Sequence, residues 1–222
     1  RIQSAADVSA AAAAAVAASH DGQGGVATLI LPADAAWTQA PADIQRATLP
    51  GPTHVDPDAL RQASGALQNG RKTVILLSGK ALRSKALETA SRIAARTGAR
   101  LLAQQSNGRV ERGAGRVMID RVPYNVDLAV KTFADTEQLI LIGAKTPVAF
   151  FAYPGKPGVM TPPTCRSIAL TRPTDDLTEA LEALADAVGA RHAAATVATK
   201  ADAGELPAGP LTAAAIIQAI GA

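Results

Sequence analysis

Four short segments, Thr73–Ser78 (TVILLS), Ala99–Gln104 (ARLLAQ), Gln138–Gly143 (QLILIG) and Arg166–Thr171 (RSIALT), are apolar with no alternation of polar positions. Such runs are too short for buried helices and predict strands covered on both faces. Between them lie segments with the helical period. ALRSKALETASRIAARTG brings Leu82, Ala86, Leu87, Ala90, Ile93 and Ala94 to one side and ends at Gly98; NVDLAVKTFAD and DDLTEALEALADAVG repeat the pattern. Upstream, DPDALRQASGALQNG starts a further helix, with Asp56 as its N-cap and Gly70 as its stop. Strands buried on both faces and separated by helices predict a parallel sheet with helices on both sides. The right-handed crossover rule makes it a Rossmann-like, three-layer α/β/α domain with a mostly parallel sheet.

Outside this alternation the pattern weakens. The alanine-rich stretch Ser9–Ser19 predicts a helix over roughly Ala5–Ser19, and VATLIL (Val26–Leu31) predicts a short buried strand closed by Pro32. A proline-rich stretch without sustained periodicity follows from Trp37 to Pro57, and a second linker rich in Ala, Thr, Gly and Pro runs from Ala190 to Pro210. The chain closes on Leu211–Ile220, a few helical turns. We therefore expect residues 1–37 as the end of a preceding domain and 38–55 as a linker. Residues 56–190 form the complete central domain, 191–210 a second linker, and 211–222 the start of another domain.

Composition narrows the class. Hydrophobic residues make up 48% and charged residues 18% of 222, enough apolar side chains for a core and too many for whole-chain disorder. The 22 basic and 19 acidic residues are dispersed, without the Lys/Arg blocks that track a phosphate backbone, so nucleic acid is not an expected partner. A membrane is not expected either, because the alanine run falls short of the roughly 20 apolar residues that span a bilayer. A single cysteine, Cys165, excludes an internal disulfide and fits a reduced cytoplasm; we expect it as a small apolar filler near a strand start.

Candidate chemistry lies in the turns after the strands. Ser78, Gly79 and Lys80 occupy the first strand-to-helix turn, where backbone N–H groups and a helix N-terminus could meet a phosphate, although the three-glycine fingerprint is missing. Gly143, Ala144 and Lys145 stand in the corresponding turn after the third strong strand. These six residues are the candidate nucleotide crevice. The GAKT and PGKP tetrapeptides approach the P-loop pattern and miss it, since no GxxxxGK frame precedes either one. Asn107–Arg116 (NGRVERGAGR), with Arg121 beyond it, gathers four arginines and three glycines. That loop could clamp a phosphate or carboxylate, but Glu111 and Asp120 are near enough in sequence to neutralise part of the charge, which favours a solvated or interface loop. His20, His54 and His192 lack ligand spacing, so neither a metal site nor a catalytic residue is proposed from the sequence. Phe150, Phe151 and Tyr153 crowd the loop after Gly143 and are expected to pack against the sheet edge or a neighbouring domain.

The order of these pieces, with GVATLILPADAAW before the central domain and GPLTAAAIIQAIGA after it, resembles thiamine-diphosphate-dependent enzymes of the acetolactate synthase and benzoylformate decarboxylase type. Gly25, Pro32 and Asp34 match that family's GPVxxxxPxD close of the first domain, with Val26 in place of its proline; GRVERGAGR…VPY and IGAKTPVAFFAYPGKP resemble an acetolactate synthase-like bacterial branch. The resemblance implies a middle domain between a pyrimidine-binding and a diphosphate-binding domain, in a homo-oligomer, dimer or tetramer, acting on a 2-keto acid. It also implies thiamine diphosphate and Mg2+ in the parent enzyme, with a glutamate of the first domain activating the cofactor's pyrimidine and a GDG…N motif of the third binding the magnesium and diphosphate. No GDG occurs here, so this chain alone is expected neither to bind that cofactor nor to catalyse. Relatives place FAD, ADP or nothing on the middle domain. Members that bind FAD resemble GARFDDR where this chain has Lys145, Thr146 and Pro147, and VMIDRVPY replaces their upstream glycine- and histidine-containing stretch. The alternative is a free-standing Rossmann-like module for a nucleotide or acyl-CoA.

Overall fold

A computed structural model describes residues 1–21, 24–51, 53–199 and 206–221. Its elements are α1 (Val8–His20, entered through a 3-10 turn, Ala5–Asp7), α2 (Ala33–Trp37), α3 (Pro57–Gln68), β1 (Thr73–Leu77), α4 (Ser84–Thr97), β2 (Arg100–Ala103), β3 (Asp120–Arg121), α5 (Val126–Phe133), β4 (Gln138–Ile142), β5 (Arg166–Ala169), α6 (Leu177–Ala187) and α7 (Ala213–Gly221). The strands form one five-stranded sheet in the order β3-β2-β1-β4-β5. Every neighbouring pair in it is parallel.

Because successive side chains point to opposite faces, the apolar strands feed two separate cores. Ile75 and Leu77 of β1, Ile140 and Ile142 of β4 and Ile168 of β5 join Ala63, Ala66 and Leu67 of α3, Ala86, Leu87, Ala90 and Ile93 of α4, and Leu177, Leu181 and Leu184 of α6. The alternate positions Val74, Leu76, Leu102, Leu139 and Leu141 pack on Ala129 and Phe133 of α5, with Val122 and Met160. Two helical layers thus sandwich the sheet, as the apolar runs predict. The strand order switches between β1 and β4: α4 carries the chain outward to β2 on one face, and α5 brings it back from β3 to β4 on the other.

The N-terminal edge of the sheet is sealed by a polar network. Gln138, 1% exposed, places its Nε2 within 2.9 Å of the Ala66 carbonyl, 2.9 Å of Thr73 Oγ1 and 3.1 Å of Asn69 Oδ1. Asn69 Nδ2 donates back to Gln138 Oε1 at 2.9 Å, so the end of α3 is tied to the start of β1 and β4. Helix starts follow the expected chemistry: Asp56, Asn125 and Asp176 each cap a helix through a side-chain oxygen.

Two expectations need correction, and one strand was not foreseen. Val26–Leu31 is not a buried strand. It has no ladder partner, its Ile30 carbonyl accepts from Ile2 N–H, and Val26 is 98% exposed; a strand needs neighbours, and the sheet lies elsewhere. The fourth helix does not begin at Ala81: a 3-10 turn, Gly79–Leu82, precedes it. Strand β3, hidden within VMIDRVPY, is only two residues long, too short to carry a periodic signal.

Candidate functional site

The switch point between β1 and β4 lies where ligands of open α/β sheets sit, outside the carboxyl ends of the strands. The two predicted turns meet there. Ser78 N–H donates to the Ile142 carbonyl at 3.1 Å, joining the end of β1 to the end of β4. Gly143 adopts φ +62°, and a Cβ on it would sit 2.5 Å from Leu177 Cδ1 and 3.1 Å from the Ser78 carbonyl oxygen. The glycine is thus demanded by close packing of the two turns against the start of α6.

The hydrogen bonds of these turns run inward. Gly143 N–H donates to Thr171 Oγ1 at 2.8 Å and Lys145 N–H to Gln104 Oε1 at 2.8 Å. Ser78 Oγ donates to Asn107 Oδ1 at 2.9 Å, and Asn107 Nδ2 in turn donates to the Gln104 carbonyl. Gln104 N–H reaches the Leu77 carbonyl at 2.8 Å. A phosphate cradle needs backbone donors that point at the ligand. The N–H groups of Ser78, Gly143 and Lys145 are engaged within the protein, by the Ile142 carbonyl, Thr171 Oγ1 and Gln104 Oε1, and Asn107 accepts from the Ser78 hydroxyl; Gln104, Asn107 and Thr171 supply the side chains. Sequence reasoning passed over these three residues; the polar run Gln104–Asn107 after an apolar strand was the available signal.

Of the six predicted residues, Ser78, Gly143 and Ala144 are buried, Gly79 is half-buried, and the two lysines are exposed on different cavities. Lys145 lines one of about 150 Å³ with Gln104, Thr146, Pro147, Val122 and Met160. Lys80 lines another of about 190 Å³ with His20, Pro50, Gly51 and the Thr174–Thr178 turn. The crevice thus joins the two turns and separates their cations.

Beyond β4 the chain makes a hairpin-like excursion closed by an antiparallel bridge between Val148 and Val159. Its rings do not pack on the sheet edge, contrary to one expectation for them. Phe150 lies 5.9 Å from Tyr124 and 4.7 Å from Phe151, which lies 5.9 Å from Tyr153. Phe150 and Phe151 stay 64% and 57% exposed. Burial within the aromatic group raises the Tyr153 hydroxyl's pKa, with Tyr124 adding to the shift. Cys165 is half-buried beside the second core, just before β5, and burial raises its thiol pKa. His54 Nδ1 pairs with Glu179 at 2.9 Å, and the Thr53 carbonyl accepts from Asp176 N–H at 2.9 Å, so the segment before α3 is fastened to the start of α6. Among the described residues no group of three His, Cys, Asp or Glu is placed to hold a metal ion.

No family model matches the chain. Over its full length it is 39% identical to a protein of Mycobacterium tuberculosis assigned as an acetolactate synthase large subunit, IlvX, and covers 42% of that protein. Its backbone superposes with a TM-score of 0.65 on an enzyme from Mycobacterium smegmatis assigned as thiamin diphosphate-dependent, at 18% identity, over 95% of this chain and 41% of that one. The chain is thus similar in sequence to part of an acetolactate synthase-like protein, and in fold to part of thiamine-diphosphate-dependent enzymes. A thiamine diphosphate-dependent 4-hydroxybenzoylformate decarboxylase of Rhodococcus jostii gives the same TM-score at 16% identity, over 95% of this chain and 42% of that one. Benzoylformate decarboxylase of Polynucleobacter necessarius gives 0.54 at 14%, over 97% and 43%. These structural likenesses carry the fold, and the acetolactate synthase-like protein carries the sequence relationship. The chain spans less than half the length of each of these relatives.

The residues present do not fit thiamine diphosphate with its metal. A diphosphate–metal site needs oxygen ligands converging on the ion; the chain has no GDG motif, and its described carboxylates do not converge.

Proposed function

We propose that this chain serves as the central, Rossmann-like scaffold region of a thiamine-diphosphate-dependent 2-keto acid carboligase or decarboxylase resembling acetolactate synthase, and that alone it is not catalytic. In the parent enzyme, thiamine diphosphate and Mg2+ would be held by flanking domains, and subunits would associate as dimers or tetramers in the cytoplasm. The observation that carries this reading is the alignment with the M. tuberculosis protein, which takes in the whole of this chain and 42% of that protein. The crevice is in keeping with a scaffold, since its turns are occupied with holding β1, β4 and α6 together. The sheet and its two helical layers would set the distance between domains on either side, while α1 and α7 contribute to neither core. To test the proposal, the purified chain is incubated with thiamine diphosphate, Mg2+ and pyruvate or benzoylformate. We expect no release of carbon dioxide above background; measurable turnover would overturn it.

A second reading rests on the two exposed lysines at the switch point. Ser78, Gly79, Lys80, Gly143, Ala144 and Lys145 would then hold the diphosphate of FAD, ADP or an acyl-CoA. Calorimetric titration separates the two readings: heat from any of these ligands that disappears in Lys145→Ala would favour the nucleotide module.

A further inference from the structure

The arginine loop differs from its sequence in one respect. Glu111, the acid within the loop, is taken up by Ser84 and by Arg109. Its Oε2 accepts from both the backbone N–H and the hydroxyl of Ser84 at the start of α4, and its Oε1 lies 3.4 Å from Arg109. These bonds, led by the Ser84 hydroxyl, hold the Glu111 pKa below the usual carboxylate range. Arg116 is turned back on its own loop, donating to the Arg112 carbonyl at 3.2 Å. Arg112 and Arg121 remain. Among the described residues neither guanidinium is paired with a carboxylate.

These two side chains line the same cavity, about 390 Å³, over an apolar floor of Ala103, Val110, Ile119, Val122 and Pro123. The floor is rigid: Val122 N–H donates to the Ala103 carbonyl at 2.9 Å, and Ile119 and Val122 are buried. The loop is pinned from outside as well, because Gly115 N–H donates to the Ala198 carbonyl and Ala198 N–H to the Arg116 carbonyl, both at 2.8 Å. Two unpaired guanidinium forks over a fixed apolar surface fit an anion that is hydrophobic behind its charged end. We propose that this cavity, at the carboxyl ends of β2 and β3, binds a small organic oxyanion, with the carboxylate or phosphate between Arg112 and Arg121 and the apolar body on Ile119, Val122 and Pro123. The site does not depend on the crevice between β1 and β4, although Val122 lines cavities on both sides.

Benzoate and phenyl phosphate serve as probes, with benzamide as the uncharged control, in titrations followed by amide NMR shifts of the full chain. Saturable shifts at Val110, Ile119 and Val122 are expected with at least one of the anions. Whichever binds more tightly identifies the oxyanion. Arg112→Gln and Arg121→Gln should each weaken binding about tenfold, and the Lys substitutions, which keep charge without the fork, should weaken it less. Both positions are exposed, so an unchanged urea midpoint separates lost binding from lost folding. The proposal is overturned if neither anion shifts these residues, if benzamide binds as tightly, or if the double Gln variant binds as the parent does.

Discussion

At Gly143 backbone conformation and packing make the same demand. An alanine there would adopt an unfavourable left-handed conformation and press on Leu177 and the Ser78 carbonyl. Gly143→Ala should cost about 2 kcal/mol, allowing for some yielding of the flexible Leu177 side chain, read as a lower urea midpoint with an unchanged slope. Gln138 makes the complementary case at the other edge of the sheet. Gln138→Leu keeps bulk but takes a donor from Thr73 Oγ1 and the Ala66 carbonyl in a buried setting, and should cost about 1–3 kcal/mol by the same measurement. His54 is fully exposed, and its effect is one of pH. Its pKa is raised above 6.5, chiefly by the hydrogen bond to Glu179 and then by that carboxylate's charge. A raised folded-state value means that this attachment is complete below about pH 6.5 and weakens as pH climbs through the folded pKa. NMR titration of the His54 ring should show that raised value, and Glu179→Gln should return it toward 6.5.

The elements show what a local period can and cannot convey. Strands β1 and β4 were legible because both faces are buried and every position after the first is apolar. Helices α3, α4 and α6 were legible because each has one apolar side. VATLIL looks like β1 in composition, yet it is exposed and forms no strand, since composition cannot state whether a partner edge is in reach. The aromatic hairpin beyond β4 was legible as unusual, but where its rings point depends on the bridge between Val148 and Val159. Its rings form an exposed apolar group. Phe150→Ser with Phe151→Ser should lower binding of a hydrophobic dye such as ANS and leave the urea midpoint unchanged, because neither ring belongs to either core.

For the whole molecule, the apolar runs determined the class: short apolar strands interspersed with amphipathic helices can hardly avoid a parallel sheet between helical layers, although only β1 and β4 are buried at every position. The candidate turns could likewise be placed at strand ends from the sequence. Which turns meet was decided only when the chain crossed to the second face after β3, making β1 and β4 neighbours and joining Ser78 to Gly143. Donor direction was also a tertiary matter. The N–H groups of a strand-to-helix turn read as ligand-facing until Gln104 and Thr171, brought in from distant segments, satisfy them. The charge of the arginine loop was equally undecided, for Glu111 stands beside those arginines in sequence and bonds to Ser84 in space. Hydrophobic pattern is a local property that burial converts directly into layers; partner choice among polar groups depends on separations that only the folded chain sets.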